Sequence, residues 1–286
     1  MRLGIFAKTF IRENLEEILD AILAHGLIEV QFNLSCSGLP TLPEAISDAT
    51  IRRIRSAFEA RKLAMAAISG TFNMIHPDVE ERLLGLDRLE VLVAAAPALG
   101  TKIITLCTGT RDPQNMWRFH PENASEAAWN DLLISVERLL PTAETHGVIL
   151  GVEPELSNVV NSAARARALL DHFASPHLKV VIDAANLFPE GSLGRMHEIL
   201  DEAFELLGPD IVLAHAKDLS GDGDAGHQAA GSGVLDYPYY LACLRRAGFA
   251  GPLILHSLSE PHVPGSIQFL KATLEAQAPG PAQTSP

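Results

Sequence analysis

VILGVE, residues 148–153, is an apolar run of strand length that ends on a carboxylate, and the pattern returns three more times downstream. VVID ends on Asp183 at residues 180–183, IVLAH on His215 at 211–215 and PLILH on His256 at 252–256. In each case a turn begins within a few residues. Four such side chains on four consecutive strands meet only if the strands lie side by side with their C-terminal ends at one mouth. Two carboxylates and two imidazoles converging there would form a socket for a divalent metal.

Upstream, the same alternation runs back to the start of the chain. Strand-like runs at 3–7, 28–33, 63–70 and 103–107 are followed by helical patterns near 13–25, 43–61, 78–98 and 124–146. In the first helix Leu15, Ile18, Leu19 and Ile22 recur at helical spacing. In the second half, helices near 162–173, 194–206, 236–247 and 264–275 follow the four runs that carry the polar residues, with Ser162 a candidate N-cap. Eight βα units result. Their apolar runs are continuous rather than alternating, as expected of parallel strands covered on both faces. The fold expected is α/β, a single (β/α)8 TIM barrel over residues 1–275, with a flexible tail at 276–286 (AQAPGPAQTSP).

Composition limits what such a barrel does. The chain has 286 residues, 47% hydrophobic and 20% charged, with a formal net charge of −13. That is enough apolar residue for a large core, and the acidic balance disfavours nucleic acid as a partner. Three widely spaced cysteines with no CxxC pair fit a reducing compartment. The opening MRLGIFAKTF begins at once with a strand-like run and lacks an apolar signal region, and no stretch approaches the roughly 20 apolar residues of a membrane span. The expectation is cytoplasmic, with no membrane partner. No GxGxxG follows the first strand and no GxxxxGK[ST] occurs, so dinucleotide and P-loop readings have no support.

Further polar residues are candidates for the mouth, because barrel active sites are built from the C-terminal strand ends and the loops after them. His76 follows the third strand. Lys217 falls two residues past His215, on the same strand face. Arg111, Trp117 and Arg118 lie in a long polar stretch after the fourth strand, where an arginine would anchor a carboxylate or phosphate and the indole would stack on a sugar ring. Glu155 is a second acid beside Glu153. His227 sits in the Gly-rich DGDAGHQAAGSG loop, a candidate lid.

The segments GVEPE, VIDAANL, AHAKD and VLDYPYYLACLRRAGFAGPLIL, with SGTFNMIHPD and LCTGTRDPQNMWRFHPEN upstream, resemble the sugar phosphate isomerase/epimerase superfamily of xylose-isomerase-like TIM barrels. The resemblance implies a divalent metal held by a Glu, an Asp, a His and a second Glu from strands five to eight. Glu153, Asp183 and His215 match the first three, and His256 stands where the second Glu is usual. Where such epimerases often carry a His three residues after the Asp ligand, this chain has Asn186, which hydrogen-bonds but shuttles no proton at ordinary pH.

On this resemblance the expected activity is a metal-dependent isomerase or epimerase of a small sugar, keto-sugar or polyol derivative, acting by proton abstraction next to a carbonyl through a stabilised enediolate. Glu153 is the expected base, and His256 the partner ligand or the acid that returns the proton. The mixed N/O donor set favours Mn, Zn, Co or Fe over Mg, and the extra imidazole leans the choice toward Zn or Mn. The alternatives are a lyase on the same scaffold, dehydrating a keto-inositol or dehydroshikimate-like compound, and a carbohydrate-binding barrel without catalysis. A homo-oligomer is possible on this scaffold.

Overall fold

The protein is described here by a computed structural model that covers residues 1–277. Seven parallel strands run β1 (Arg2–Phe6), β2 (Glu29–Phe32), β3 (Ala64–Ser69), β4 (Ile103–Cys107), β5 (Ile149–Glu153), β6 (Leu178–Asp183) and β7 (Ile211–Asp218). A two-residue β8 (Gln228–Ala229) precedes the last barrel strand, β9 (Pro252–Leu255). β1 pairs with both β2 and β9, and β7 pairs with both β6 and β9, so the sheet closes on itself. Among the described residues the helices are α1 (Leu15–Ala24), α2 (Asp48–Ala60), α3 (Val79–Leu99), α4 (Glu126–His146), α5 (Ala163–Phe173), α6 (Met196–Leu207), α7 (Tyr237–Arg246) and α8 (Val263–Ala276). The fold is a (β/α)8 TIM barrel. The tail expected at 276–286 lies outside the described residues from 278 onward.

Helix starts are set by short polar side chains. Asn14, Ser47, Asp78, Ser125, Ser162 and Asp236 each accept a backbone N–H in the first turn of the helix that follows, a cap worth about 1 kcal/mol. Ser47 explains why the helix expected from residue 43 begins at Asp48. Pro40 and Pro43 hold the preceding chain out of helical geometry. No helix among the described residues is long and apolar enough to cross a membrane.

Inside the barrel, Ala67, Val181, Leu213 and Ile254 form a small buried apolar layer that plugs the lumen beneath the mouth. The larger core fills the space between strands and helices. Two fully buried tyrosines of α7 brace β7 from outside: Tyr237 Oη donates to the Lys217 carbonyl at 2.9 Å and Tyr240 Oη to the His215 carbonyl at 3.0 Å. The loop after β7 is tied to the barrel by its own backbone. β8 returns antiparallel onto β7, opposing Lys217 with Ala229 and Asp218 with Gln228. The Asp218 carboxylate then accepts the backbone N–H groups of Leu219, Gly231, Gly233 and Leu235. Gly233 is obligatory there, since a Cβ would run into the Leu219 carbonyl and the Asp218 carboxylate.

Candidate active site

Strand register delivers three of the four strand-end residues to one point. Asp183 pairs directly with His215 across β6 and β7, and Glu153 ends β5 next door. His215 Nδ1 lies 3.4 Å from Glu153 Oε1 and 3.5 Å from Asp183 Oδ2. Potential ligand atoms of the three residues all fall within 4.8 Å of one another. Asp183 and His215 are buried; Glu153 is partly open to the cavity.

Several polar side chains bond to this triad. Lys217 Nζ stands 3.2 Å from Asp183 Oδ2 and donates to Asn186 Oδ1 at 2.7 Å. Asn186 Nδ2 in turn donates to Glu153 Oε1 at 2.8 Å. On the opposite side, His215 Nε2 meets Gln31 Oε1 at 2.9 Å. Burial alone would raise the Asp183 pKa, but Lys217 and His215 outweigh it and hold the carboxyl well below the usual carboxylate range. Burial alone would lower the pKa of His215, but Glu153 and Asp183 raise it to about 9. Lys217 is likewise pushed up, with Asp183 and Glu153 overcoming burial. Glu155 moves the other way: burial and the Glu153 charge push its carboxyl up to about 8.

Two atoms at the centre, His215 Nδ1 and Asp183 Oδ2, are buried and make ion-pair contacts, to Glu153 and to Lys217, but no hydrogen bond of good geometry. Buried polar atoms are rarely left so, and both belong to typical metal-ligand groups aimed at one point. Two carboxylates and one imidazole with these orphaned atoms fit a divalent metal.

His256 stands apart from the three. In the sheet register His215 is level with Ile254 of β9, so His256 lies two residues, about 6.6 Å, further along its strand. It therefore covers His215 instead of standing beside it. The two rings stack with centroids 4.5 Å apart at 18°, and Phe6 stacks on the other face of His256 at 4.8 Å and 13°. His256 Nδ1 bonds Ser257 Oγ at 3.0 Å. Burial, with the charges of His215 and Lys217, holds its pKa well below the ordinary value. A lowered pKa disfavours the proton-returning role expected from the sequence, and as a metal ligand His256 would have to turn from the stacked orientation that presents its face to the triad.

The triad opens into a cavity of about 550 Å³, whose wall includes Gln31, Glu153, Glu155, Asn186, Lys217 and His256. Trp117 and His227 reach its rim, the latter largely exposed. Three other expected contacts do not line it. The Arg111 guanidinium is buried against Asp131 at 2.7 Å and donates to the Ile75 carbonyl, tying the loop after β4 to the barrel. Arg118 pairs with Asp112 on the surface. His76 caps the turn before α3, accepting the Asp78 N–H and meeting the Pro113 carbonyl, and it faces a neighbouring groove. Glu260, four residues past His256, is bidentate with Arg12. The cavity wall also holds residues the sequence reading passed over. Gln31, Ser69 and Thr105 are inward-facing polar residues in otherwise apolar strands, and that departure from the apolar run was the available signal. Lys8 follows β1 and stands exposed on the rim.

Residues 7–273 match the family model described as xylose isomerase-like TIM barrel. No curated protein matches the sequence. Among solved structures the chain is similar to a 3-keto-D-glucoside 4-epimerase from E. coli, at 19% identity over 95% of this chain and 99% of that one, with a TM-score of 0.72. A D-tagatose 3-epimerase-like protein superposes with a TM-score of 0.78 at 16% identity, over 96% of this chain and 98% of that one. The IOLI protein with a bound zinc atom gives 0.73 at 19% identity, over 96% and 97%. At such identities the likeness is one of fold.

Proposed function

The chain belongs to the xylose isomerase-like TIM barrel family, and from that premise we propose that it is a divalent-metal-dependent isomerase or epimerase of a small, uncharged keto-sugar or polyol derivative. The observation that carries this reading is the triad of Glu153, Asp183 and His215, whose potential ligand atoms converge on one point at the base of a cavity, two of them buried without a hydrogen bond of good geometry. The epimerase names carried by two of the similar structures support the same class.

Asp183, His215 and Glu153 would hold the metal, and an N/O donor set of this kind favours Mn, Zn, Co or Fe over Mg. Bound there, the metal would polarise a substrate carbonyl and acidify the adjacent C–H. Glu153 is the residue we assign to taking that proton. Its Oε1 is occupied by Asn186, and no hydrogen bond from the described residues engages its Oε2. Glu155, whose carboxyl burial and the Glu153 charge push up, lines the same cavity and is the group we assign to returning a proton to the substrate. Lys217 and Asn186 keep Asp183 ionised and Glu153 oriented. A substrate without a phosphate is the simpler reading, since neither Arg111 nor Arg118 lines the cavity and each is paired with an aspartate; among the described residues Lys8 is the one exposed cation at the rim.

The test is exchange of the substrate α-proton with solvent deuterium. Metal-supplemented protein is incubated in D2O with a panel of free ketohexoses and ketopentoses and followed by NMR. Exchange into at least one sugar, lost in Glu153→Gln, is expected. No exchange with any sugar the protein binds would remove proton abstraction from the proposal.

A further inference from the structure

A histidine can offer a metal either ring nitrogen, and the hydrogen bond made by the other nitrogen decides which. In this barrel that bond comes from Gln31, on a strand far from the triad in sequence. We propose that Gln31 is a positioning residue that fixes His215 as an Nδ1 ligand, a role that rests on the metal-site reading above.

Gln31 is buried in β2, facing into the barrel. Its amide nitrogen lies 3.3 Å from Ser69 Oγ of β3 and 3.4 Å from Thr105 Oγ1 of β4, and both hydroxyls accept from it. The amide oxygen is thereby the atom left to face His215 Nε2, at 2.9 Å. An acceptor there keeps the proton on Nε2. In the neutral, metal-binding ring the lone pair then falls on Nδ1, the nitrogen that sits between Glu153 and Asp183 and has no hydrogen bond of good geometry. The ring plane is held independently by the His256 stack. Gln31, Ser69 and Thr105 thus form a relay across three strands, from the far wall of the barrel to the ligand atom, and none of the three touches the metal point itself.

The experiment uses the full chain with zinc as probe. Competition against a chromophoric chelator gives the zinc affinity of wild type, Gln31→Met and Gln31→Glu. Nitrogen-15 NMR of histidine-labelled, zinc-loaded protein reads which His215 nitrogen carries the proton. Wild type should show Nδ1 bound and Nε2 protonated. Gln31→Met, similar in length but without an acceptor, should lose about 10- to 100-fold in zinc affinity. Gln31→Glu, which keeps an acceptor, should recover most of that loss. Coordination of wild-type His215 through Nε2 would overturn the assignment even if Gln31→Met fails to fold. So would a folded Gln31→Met that binds zinc as wild type does with His215 unchanged. Wild type that binds no zinc would instead strike the metal site itself, and the assignment to Gln31 with it.

Discussion

His215 and His256 lie face to face, 4.5 Å between ring centroids, because the register of β7 on β9 sets His256 one inward-facing step above its neighbour. Residues adjacent at strand ends in sequence terms need not be level in space. A one-step offset turns a would-be ligand into a cover. If that is its role, His256→Phe should keep zinc or manganese affinity close to wild type, since the stack survives. His256→Ala should cost about 0.5–1.5 kcal/mol of stability from the lost ring pairing. Titration calorimetry and urea unfolding measure the two effects. A collapse of metal affinity in His256→Phe would return the residue to the ligand set.

Metal binding should be coupled to pH through His215. Its pKa in the metal-free protein, about 9, lies above the ordinary histidine value, so the ring is cationic at neutrality. A metal must displace the proton from Nδ1. Apparent affinity should therefore rise about tenfold per pH unit from neutrality to about pH 9 and flatten above it. Calorimetry in two buffers of different ionisation enthalpy should count about one proton released per metal bound. Affinity independent of pH across that window would contradict the pairing described.

Lys217 is the near partner of a carboxylate with no solvent exposure. Lys217→Met should cost about 3–5 kcal/mol in the metal-free protein, because it leaves the Asp183 charge buried with less compensation. Saturating manganese should restore part of that loss by supplying a positive charge at the same oxygen. Urea denaturation with chelator and with metal distinguishes this from simple loss of packing, which metal would not repair.

Asp218 organises the segment between β7 and α7 through four backbone N–H groups. Asp218→Asn keeps one acceptor oxygen and loses the other. The expected cost is about 1.5–3 kcal/mol per charged hydrogen bond broken, with faster amide exchange and proteolysis confined to residues 219–236. Uniform loss of protection over the whole barrel would show that the carboxylate supports the fold at large.

Arg118, a candidate anion anchor from the sequence, gives a contrasting expectation. Arg118→Ala removes an exposed pair with Asp112 and should change stability by no more than about 1 kcal/mol, with sugar binding unaltered.

Much of this molecule was legible in its sequence, for a physical reason. A parallel strand covered on both faces must be a continuous apolar run, and a helix must show its period and its caps, so the alternation that ends in VILGVE, VVID, IVLAH and PLILH determined a barrel and which residues stand at its mouth. It also determined that Glu153, Asp183 and His215 are chemically suited to one another. What it could not carry is height and direction. The offset that puts His256 over His215 is a property of strand pairing. The engagement of Arg111 by Asp131 depends on how a long loop folds back on α4. The bond from Gln31 to His215 spans the barrel lumen between residues 184 positions apart. These are distances between chain segments with no local signature, and only closure of the sheet brings them into contact.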